Sequence, residues 1–293
     1  MSIIATARDS ARIAGTLSKV RISLPVTATT FTGFIVYSGN LTTDLIPLLT
    51  GVFLLASGSS ALNHYQEQDT DRVMERTKNR PLPRGLITPV FVLLFSLILL
   101  ASGSLILYLS FRLPVVLLGL FNVIWYNAVY TNLKKITAFA VIPGSVTGGV
   151  PPVIGWVAAG GYWLDTSVLL IFVFFVIGQI PHFWLLLLKY GKQYEKAGLP
   201  SLTSFFSYRQ ISRISVAWIA ATLAASGLLP AYGLISNPFV LYSYMLIASL
   251  FIVVIITPFV CMRIKDMQGL HFLALNLFYL LMMLLLVIDN INI

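Results

Sequence analysis

Nine apolar runs, each about as long as a helix needs to be to cross the hydrocarbon of a bilayer, divide this chain: 22–39, 45–62, 88–109, 113–130, 138–158, 167–188, 211–233, 238–262 and 270–288. Within a bilayer, backbone amides find no water and must be bonded inside the segment that carries them, so a succession of runs this long dictates helices. Composition agrees, since 58% of the residues are hydrophobic and only 10% are charged, where a soluble domain carries about a quarter. The expected fold is therefore all-α, a polytopic membrane protein of about nine transmembrane helices, read as one domain over 1–293. The first run is rich in Thr and interrupted by Pro25, and the fifth carries Gly144, Gly148, Gly149, Pro151 and Pro152. Such breakers are tolerated where neighbouring helices or a cavity satisfy the freed backbone groups.

Charge assigns the loops to sides. Of the nineteen Lys and Arg, all but Arg112 fall on one side of that topology, whereas Asp44, Asp165 and Asp289 lie opposite. The two faces then carry +11 and −2, which accounts for the net charge of +9 without any nucleic-acid partner. Orientation follows the Lys/Arg bias of short loops, so the N-terminus and the loops 63–87 and 189–210 are expected in the cytoplasm of a bacterial-type inner membrane. Within the arm 1–21, residues 1–19 interleave Arg8, Arg12 and Lys19 with small residues and lack a continuous apolar core. They read as an interfacial amphipathic arm rather than a cleavable signal. Cys261 is the single cysteine, which excludes an intrachain disulfide or a multi-thiolate metal site.

The loop at 63–87 concentrates what polarity there is. Its first half, NHYQEQDTD, places Asn63, Glu67 and Asp71 at i, i+4 and i+8, one face of a helix, where residues four apart are neighbours. That face offers oxygen ligands alone, which suit Mg²⁺ shared between one or two carboxylates and a phosphate. Asp69 points elsewhere on an ideal helix and needs an irregular last turn, or a second metal, to join them. Arg72, Arg76 and Arg80 follow at four-residue spacing, with Lys78 and Arg84 close by. Guanidinium forks bind phosphate oxygens in pairs, and the same bases equally suit anchorage to anionic lipid. A positional echo comes four spans later, where another apolar run ends in KYGKQYEKAGLP over 189–200. Two related helical halves facing a central cavity are the expected arrangement.

The run from Asn63 to Asp71 resembles the first diphosphate-binding motif of the UbiA superfamily of intramembrane prenyltransferases, Asn-x-x-x-Asp-x-x-x-Asp. The tail MERTKNRPL, the segment YNAVYTNLKKITAFAVIPGSVTGGVPPVIGW over 126–156, PHFW at 181–184 and the AGLP turn at 197–200 are similar to the branch that farnesylates protoheme. The resemblance spans roughly residues 15–215. It implies that Asn63, Glu67, Asp71 and, through a second metal, Asp69 hold Mg²⁺ against the diphosphate of farnesyl diphosphate. Arg76, Lys78, Arg80, Lys134, Lys192 and Lys196 would then neutralise the leaving diphosphate. It also implies heme B as acceptor, with His182, Tyr126 and Tyr130 lining its site. Tyr65 and Phe183 are further aromatic faces able to stabilise an allylic cation.

Two departures from the family pattern stand out. Glu67 replaces the usual Asp, keeping the charge but lengthening the reach by one methylene, and the second loop has Lys192 and Gln193 where an acidic pair is expected, leaving Glu195 as its carboxylate. Diphosphate and clustered carboxylates repel, so lysines there suggest a one-metal enzyme in which Lys189, Lys192 and Lys196 hold the diphosphate directly. Of the other histidines, His64 adjoins the acid motif and His271 opens the last span. Lys135, like Lys134, also serves as a topology determinant. Alternatives remain open at this level: a relative acting on an aromatic quinone precursor, a catalytically degenerate heme-binding assembly protein, and a secondary transporter. The last fits poorly, because nearly every charge lies at the ends of the spans rather than at the midplane.

Overall fold

Side-chain caps start two of the long helices, and glycines with a left-handed backbone follow the ends of several. The computed structural model describes residues 7–260 and 267–292. In chain order the helices are α1 (Ala7–Leu17), α2 (Val20–Ser38), α3 (Leu45–Gln66), α4 (Gln68–Val73), α5 (Pro89–Ser110) and α6 (Leu113–Ile124). The last of these continues through a π-helical turn (Trp125–Tyr130) into α7 (Thr131–Leu133). Then come α8 (Val141–Gly144), α9 (Val146–Ala158), α10 (Thr166–Lys196), α11 (Tyr208–Ala231), α12 (Pro238–Val260) and α13 (Met267–Asn290). Among the described residues no strand is present.

Local chemistry accounts for the boundaries. Thr88 caps α5 by accepting from the Phe91 amide, with Pro89 in the first turn, where a missing N–H costs nothing. Ser207 and Gln210 form a reciprocal capping box at the start of α11. Gly39, with φ 67°, closes α2.

Eight of these helical segments are long and apolar enough to cross a membrane, with α6 to α7 and α8 to α9 each counting as one. The first expected span, 22–39, corresponds to α2 (Val20–Ser38), which is not among these eight. Packing holds it instead, because α2 lies against α9, α3 and α13. At its crossing with α9, a Cβ on Gly33 would fall 1.9 Å from the Pro152 carbonyl oxygen, and one on Gly155 would fall 1.9 Å from that of Thr30. Only glycine permits backbones this close. The chain is thus an integral, multi-pass membrane protein, in which α3, α5 and α6 pack against one another, α10 packs against α11 and α13, and α2 touches both α3 and α13. Outward faces such as Leu94, Leu97, Ile98, Leu105 and Leu109 of α5 are exposed, as lipid-facing side chains should be.

The fifth span is interrupted at Ser145, between α8 and α9, in the region where its glycines and prolines lie. Two expectations need correction. The motif from Asn63 to Asp71 is not one continuous helix: α3 ends at Gln66, Glu67 adopts φ −109° and ψ 10°, and α4 restarts at Gln68. Nor is 189–196 loop, since α10 runs on to Lys196. Nothing in KYGKQYEK stops a helix before Gly198 takes a left-handed φ of 73°. At about 1.5 Å per residue, thirty-one residues span about 46 Å, well beyond the hydrocarbon. Residues 261–266, Cys261 among them, lie outside the described residues, as do the first six residues of the arm.

Candidate functional site

Asn63, Glu67 and Asp71 meet at the end of α3 despite the break, because the Glu67 amide still bonds the Asn63 carbonyl at 3.0 Å and the Asp71 amide the Glu67 carbonyl at 2.8 Å. All three are buried, at 1%, 8% and 3% exposure. Buried charges require partners, and each acceptor here has a cation. Lys134 forms an ion pair with Glu67. Arg80 donates from Nη1 to Asp71 Oδ2 at 2.6 Å. Lys19 donates from Nζ to Asn63 Oδ1 at 2.6 Å. The Asn63 amide nitrogen completes the cluster, donating to Glu67 Oε1 at 2.7 Å and to Thr131 Oγ1 at 3.3 Å. His64 Nδ1 lies 3.9 Å from Asp71 Oδ2.

Electrostatics follow from this burial. Burial alone would push the Glu67 carboxyl up, but the ammonium groups of Lys134 and Lys19 beside it bring it below the ordinary carboxylate value. Lys19 is lowered to about 7, first by burial, with Arg80 and Lys134 adding repulsion while Glu67 and Asp71 oppose the shift. Lys19 was expected only as part of a basic arm. Its backbone, φ 42° and ψ 52°, makes it the one non-glycine residue with positive φ among the described residues. That conformation costs energy and persists where the surroundings fix it. Leu17, fully buried against Ala61, Leu82 and Val92, pins the preceding helix beneath the motif loop.

The loop after α4 folds back over the cluster. Thr77 Oγ1 donates to the Asp71 carbonyl at 3.0 Å, and the chain then returns Arg80 to the acid. Arg76 reaches instead to the projecting end of α10: its Nη2 donates to Tyr194 Oη at 2.8 Å, its amide to Gln193 Oε1 at 3.3 Å, and its guanidinium lies over the rings of Tyr190 and Tyr194. The two motif segments are thereby joined. Other candidate bases stand apart from the buried cluster. Lys78 pairs with Glu75 at 2.6 Å in a largely exposed contact, and Lys192, Lys196 and Lys135 are exposed. Asp69 is also exposed, 3.4 Å from Arg72. Glu195 turns away to accept from Thr203 and Ser204.

Beside the acids runs a file of rings. Tyr126 and Tyr130 stack at 5.7 Å, Tyr130 meets Phe183 at 6.2 Å, Phe183 meets His182 at 5.7 Å, and His182 meets Phe272 of α13 at 4.7 Å. Lys134 sits 5.7 Å over the Tyr130 ring and so links this file to Glu67. Tyr65 faces another way, into the cluster with Ile13 and Leu17. His271 is buried at the start of the last span.

The side chains of Asn63, Glu67 and Asp71 therefore form a cradle in which one oxygen of each meets a cationic nitrogen. Such a donor set fits a divalent cation. Among the described residues no three His, Cys, Asp or Glu side chains are grouped to cage a metal, so an ion held here would complete its shell with ligand oxygens and water.

Comparison with known proteins gives a consistent outcome. Residues 26–276 match the profile of the UbiA prenyltransferase family. A protoheme IX farnesyltransferase of Geobacter sulfurreducens is 42% identical over 64% of this chain and 69% of its own length. The protein of the same name from Oleidesulfovibrio alaskensis is 31% identical over 95% of this chain and 96% of its own. Among solved structures, a UbiA homologue from Archaeoglobus fulgidus bound to GPP and Mg²⁺ superposes with a TM-score of 0.67 at 15% identity, covering 94% of this chain and 96% of that one.

Proposed function

The chain belongs to the UbiA prenyltransferase family, and from that premise we propose that it transfers the farnesyl group of farnesyl diphosphate to heme B, giving heme O. The observation that carries this reading is the buried Asn63–Glu67–Asp71 cradle, faced by Lys19, Lys134 and Arg80 and opening beside an aromatic file that ends at His182. Relatives named for this reaction over most of their length support it.

In this reading Asn63, Glu67 and Asp71 would hold Mg²⁺, and the ion would supply Lewis-acid stabilisation of the leaving diphosphate. Asp69, exposed beside Arg72, is proposed to take no part in holding it. Lys134, Arg80 and Lys19 supply buried positive charge where the leaving diphosphate gathers negative charge. Preorganised charge in a water-poor site needs no reorganisation at the moment of reaction. Arg76 holds the end of α10 over the mouth, and the exposed Lys78, Lys192 and Lys196 act as outer charges that attract the donor rather than grip it. As the allylic carbon–oxygen bond breaks, diphosphate leaves with the electron pair and the farnesyl cation lies against Tyr126 and Tyr130. Their ring faces stabilise it. A vinyl group of heme B donates its π electrons to form the new carbon–carbon bond. Water then adds to the cation left on the former vinyl carbon and releases one proton, completing a hydroxyethylfarnesyl substituent. His182, backed by Phe272, is the proposed contact for the acceptor. The N-terminus and both motif segments are placed in the cytoplasm, where the basic face belongs.

The test is a competition between acceptors. Purified protein in detergent, given farnesyl diphosphate, Mg²⁺ and equal concentrations of heme B and a hydroxybenzoate, should yield farnesylated heme alone by mass spectrometry. Prenylated hydroxybenzoate would move the protein to the quinone-precursor branch. Donor binding without any product would favour a heme-binding assembly role.

A further inference from the structure

We propose that Thr131, which immediately follows the π-helical turn Trp125–Tyr130, is the positioning residue that sets the orientation of the Asn63 amide. The inference rests on the reading of Asn63 as a metal ligand and adds what makes its oxygen, rather than its nitrogen, face the ion.

The hydrogen bonds leave Thr131 one choice. A threonine hydroxyl has a single proton, and that of Thr131 goes to the Tyr126 carbonyl at 2.9 Å, five residues back. The Thr131 amide bonds the same carbonyl, as the wider turn requires. With its proton committed, the hydroxyl presents only lone pairs to Asn63. It accepts from Asn63 Nδ2 at 3.3 Å. Glu67 Oε1 accepts the other amide proton at 2.7 Å. Asn63 Oδ1 is therefore forced toward the position held by the Lys19 ammonium.

The π-turn makes this possible. In an α-helical turn, Thr131 would bond the carbonyl of Asn127, four residues back. Widening the turn frees that carbonyl, which accepts from Gln66 Nε2 at 3.1 Å. The Asn127 side chain is tied to α3 as well, donating to the Ser59 carbonyl at 3.0 Å and to Gln66 Oε1 at 3.1 Å. Asn127 and Thr131 are both buried. One irregular turn thus latches to α3 through Asn127 and orients a residue of α3 through Thr131. Residues that orient a ligand typically contribute about 10–100-fold in metal affinity or activity.

The test uses calorimetric binding of farnesyl diphosphate to the full-length protein in detergent, without heme, over a Mg²⁺ titration. Thr131→Val should raise the Mg²⁺ concentration for half-maximal binding by about 10–100-fold, whereas Thr131→Ser, which keeps the hydroxyl, should stay within about 3-fold of the parent. In an Asn63→Asp background both side-chain oxygens are acceptors and no orientation is needed, so the penalty of Thr131→Val should largely vanish there. A Thr131→Val protein with unchanged Mg²⁺ dependence, or an equal penalty in the Asn63→Asp background, would overturn the inference. Donor binding by the parent protein that needs no Mg²⁺ would instead overturn the metal-holding role of Asn63, and this inference with it.

Discussion

Arg80→Met removes the cation nearest the most enclosed acid of the site. In the structure Arg80 Nη1 stands 2.6 Å from Asp71 Oδ2, with the Asp71 side chain 4% exposed and that of Arg80 24% exposed. At that separation the attraction is about 6 kcal/mol at an effective dielectric near 20, much of it offset by the several kcal/mol needed to desolvate each ion. The pair therefore adds little net stability, yet breaking it strands a buried carboxylate, at a cost of about 3–5 kcal/mol. His64 at 3.9 Å from the same oxygen is a poor replacement. The expected result is a melting midpoint in detergent lowered by about 5–15 °C, with turnover lost. Arg80→Met combined with Asp71→Asn removes both charges and should recover most of the midpoint while recovering no turnover. An Arg80→Met protein with parental melting and parental kcat would refute the assignment of Asp71 as a buried acid held by Arg80.

Glu67→Gln and Asp71→Asn should each lower Mg²⁺-dependent turnover by at least about 100-fold in protein that still elutes as a folded species; full activity in both would remove the acid cradle from the account. Because burial brings Lys19 down to about 7, the unfolded chain binds more protons than the folded one between that value and the ordinary lysine range. Lys19's contribution to stability therefore rises with pH across that window, and Lys19→Met should flatten the increase in chemical-denaturation midpoint between pH 7 and 10 relative to the parent. Arg76→Ala, which releases Tyr194 and Gln193, should raise the KM for farnesyl diphosphate by about 10-fold, while Lys192→Ala and Lys196→Ala change it little; equal effects from all three would contradict the placement of those lysines. His182→Ala should weaken heme binding, measured by Soret titration, and leave farnesyl diphosphate binding unchanged.

Much of this molecule is legible in its sequence because the bilayer enforces simple rules. Span length foretold the helices, and the four-residue spacing of Asn63, Glu67 and Asp71 foretold a shared face that survives the break at Glu67. Lys19 was hidden, because a lysine in a basic arm looks like any topology determinant and a left-handed backbone at a non-glycine residue leaves no mark in the sequence. Lys134 differed from Lys192 and Lys196 only through tertiary placement: one follows the π-turn onto Glu67, whereas the others lie on the exposed side of a helix end. The π-turn itself was illegible, since nothing in WYNAVY marks a wider turn and the Asn127–Gln66 bonds that accompany it join two helices far apart in sequence. The helical extension to Lys196 was missed for the opposite reason, charge density suggesting loop where no residue actually stops the helix.

The measurement that bears most directly on the account is the mass of the product formed by purified protein from farnesyl diphosphate and heme B in ¹⁸O-labelled water, with and without chelation of Mg²⁺. The account predicts hydroxyethylfarnesyl heme that carries the heavy oxygen, formed only with the metal present and absent from Glu67→Gln. Unmodified heme from a protein that binds both substrates, or product formed equally well under chelation, would contradict it.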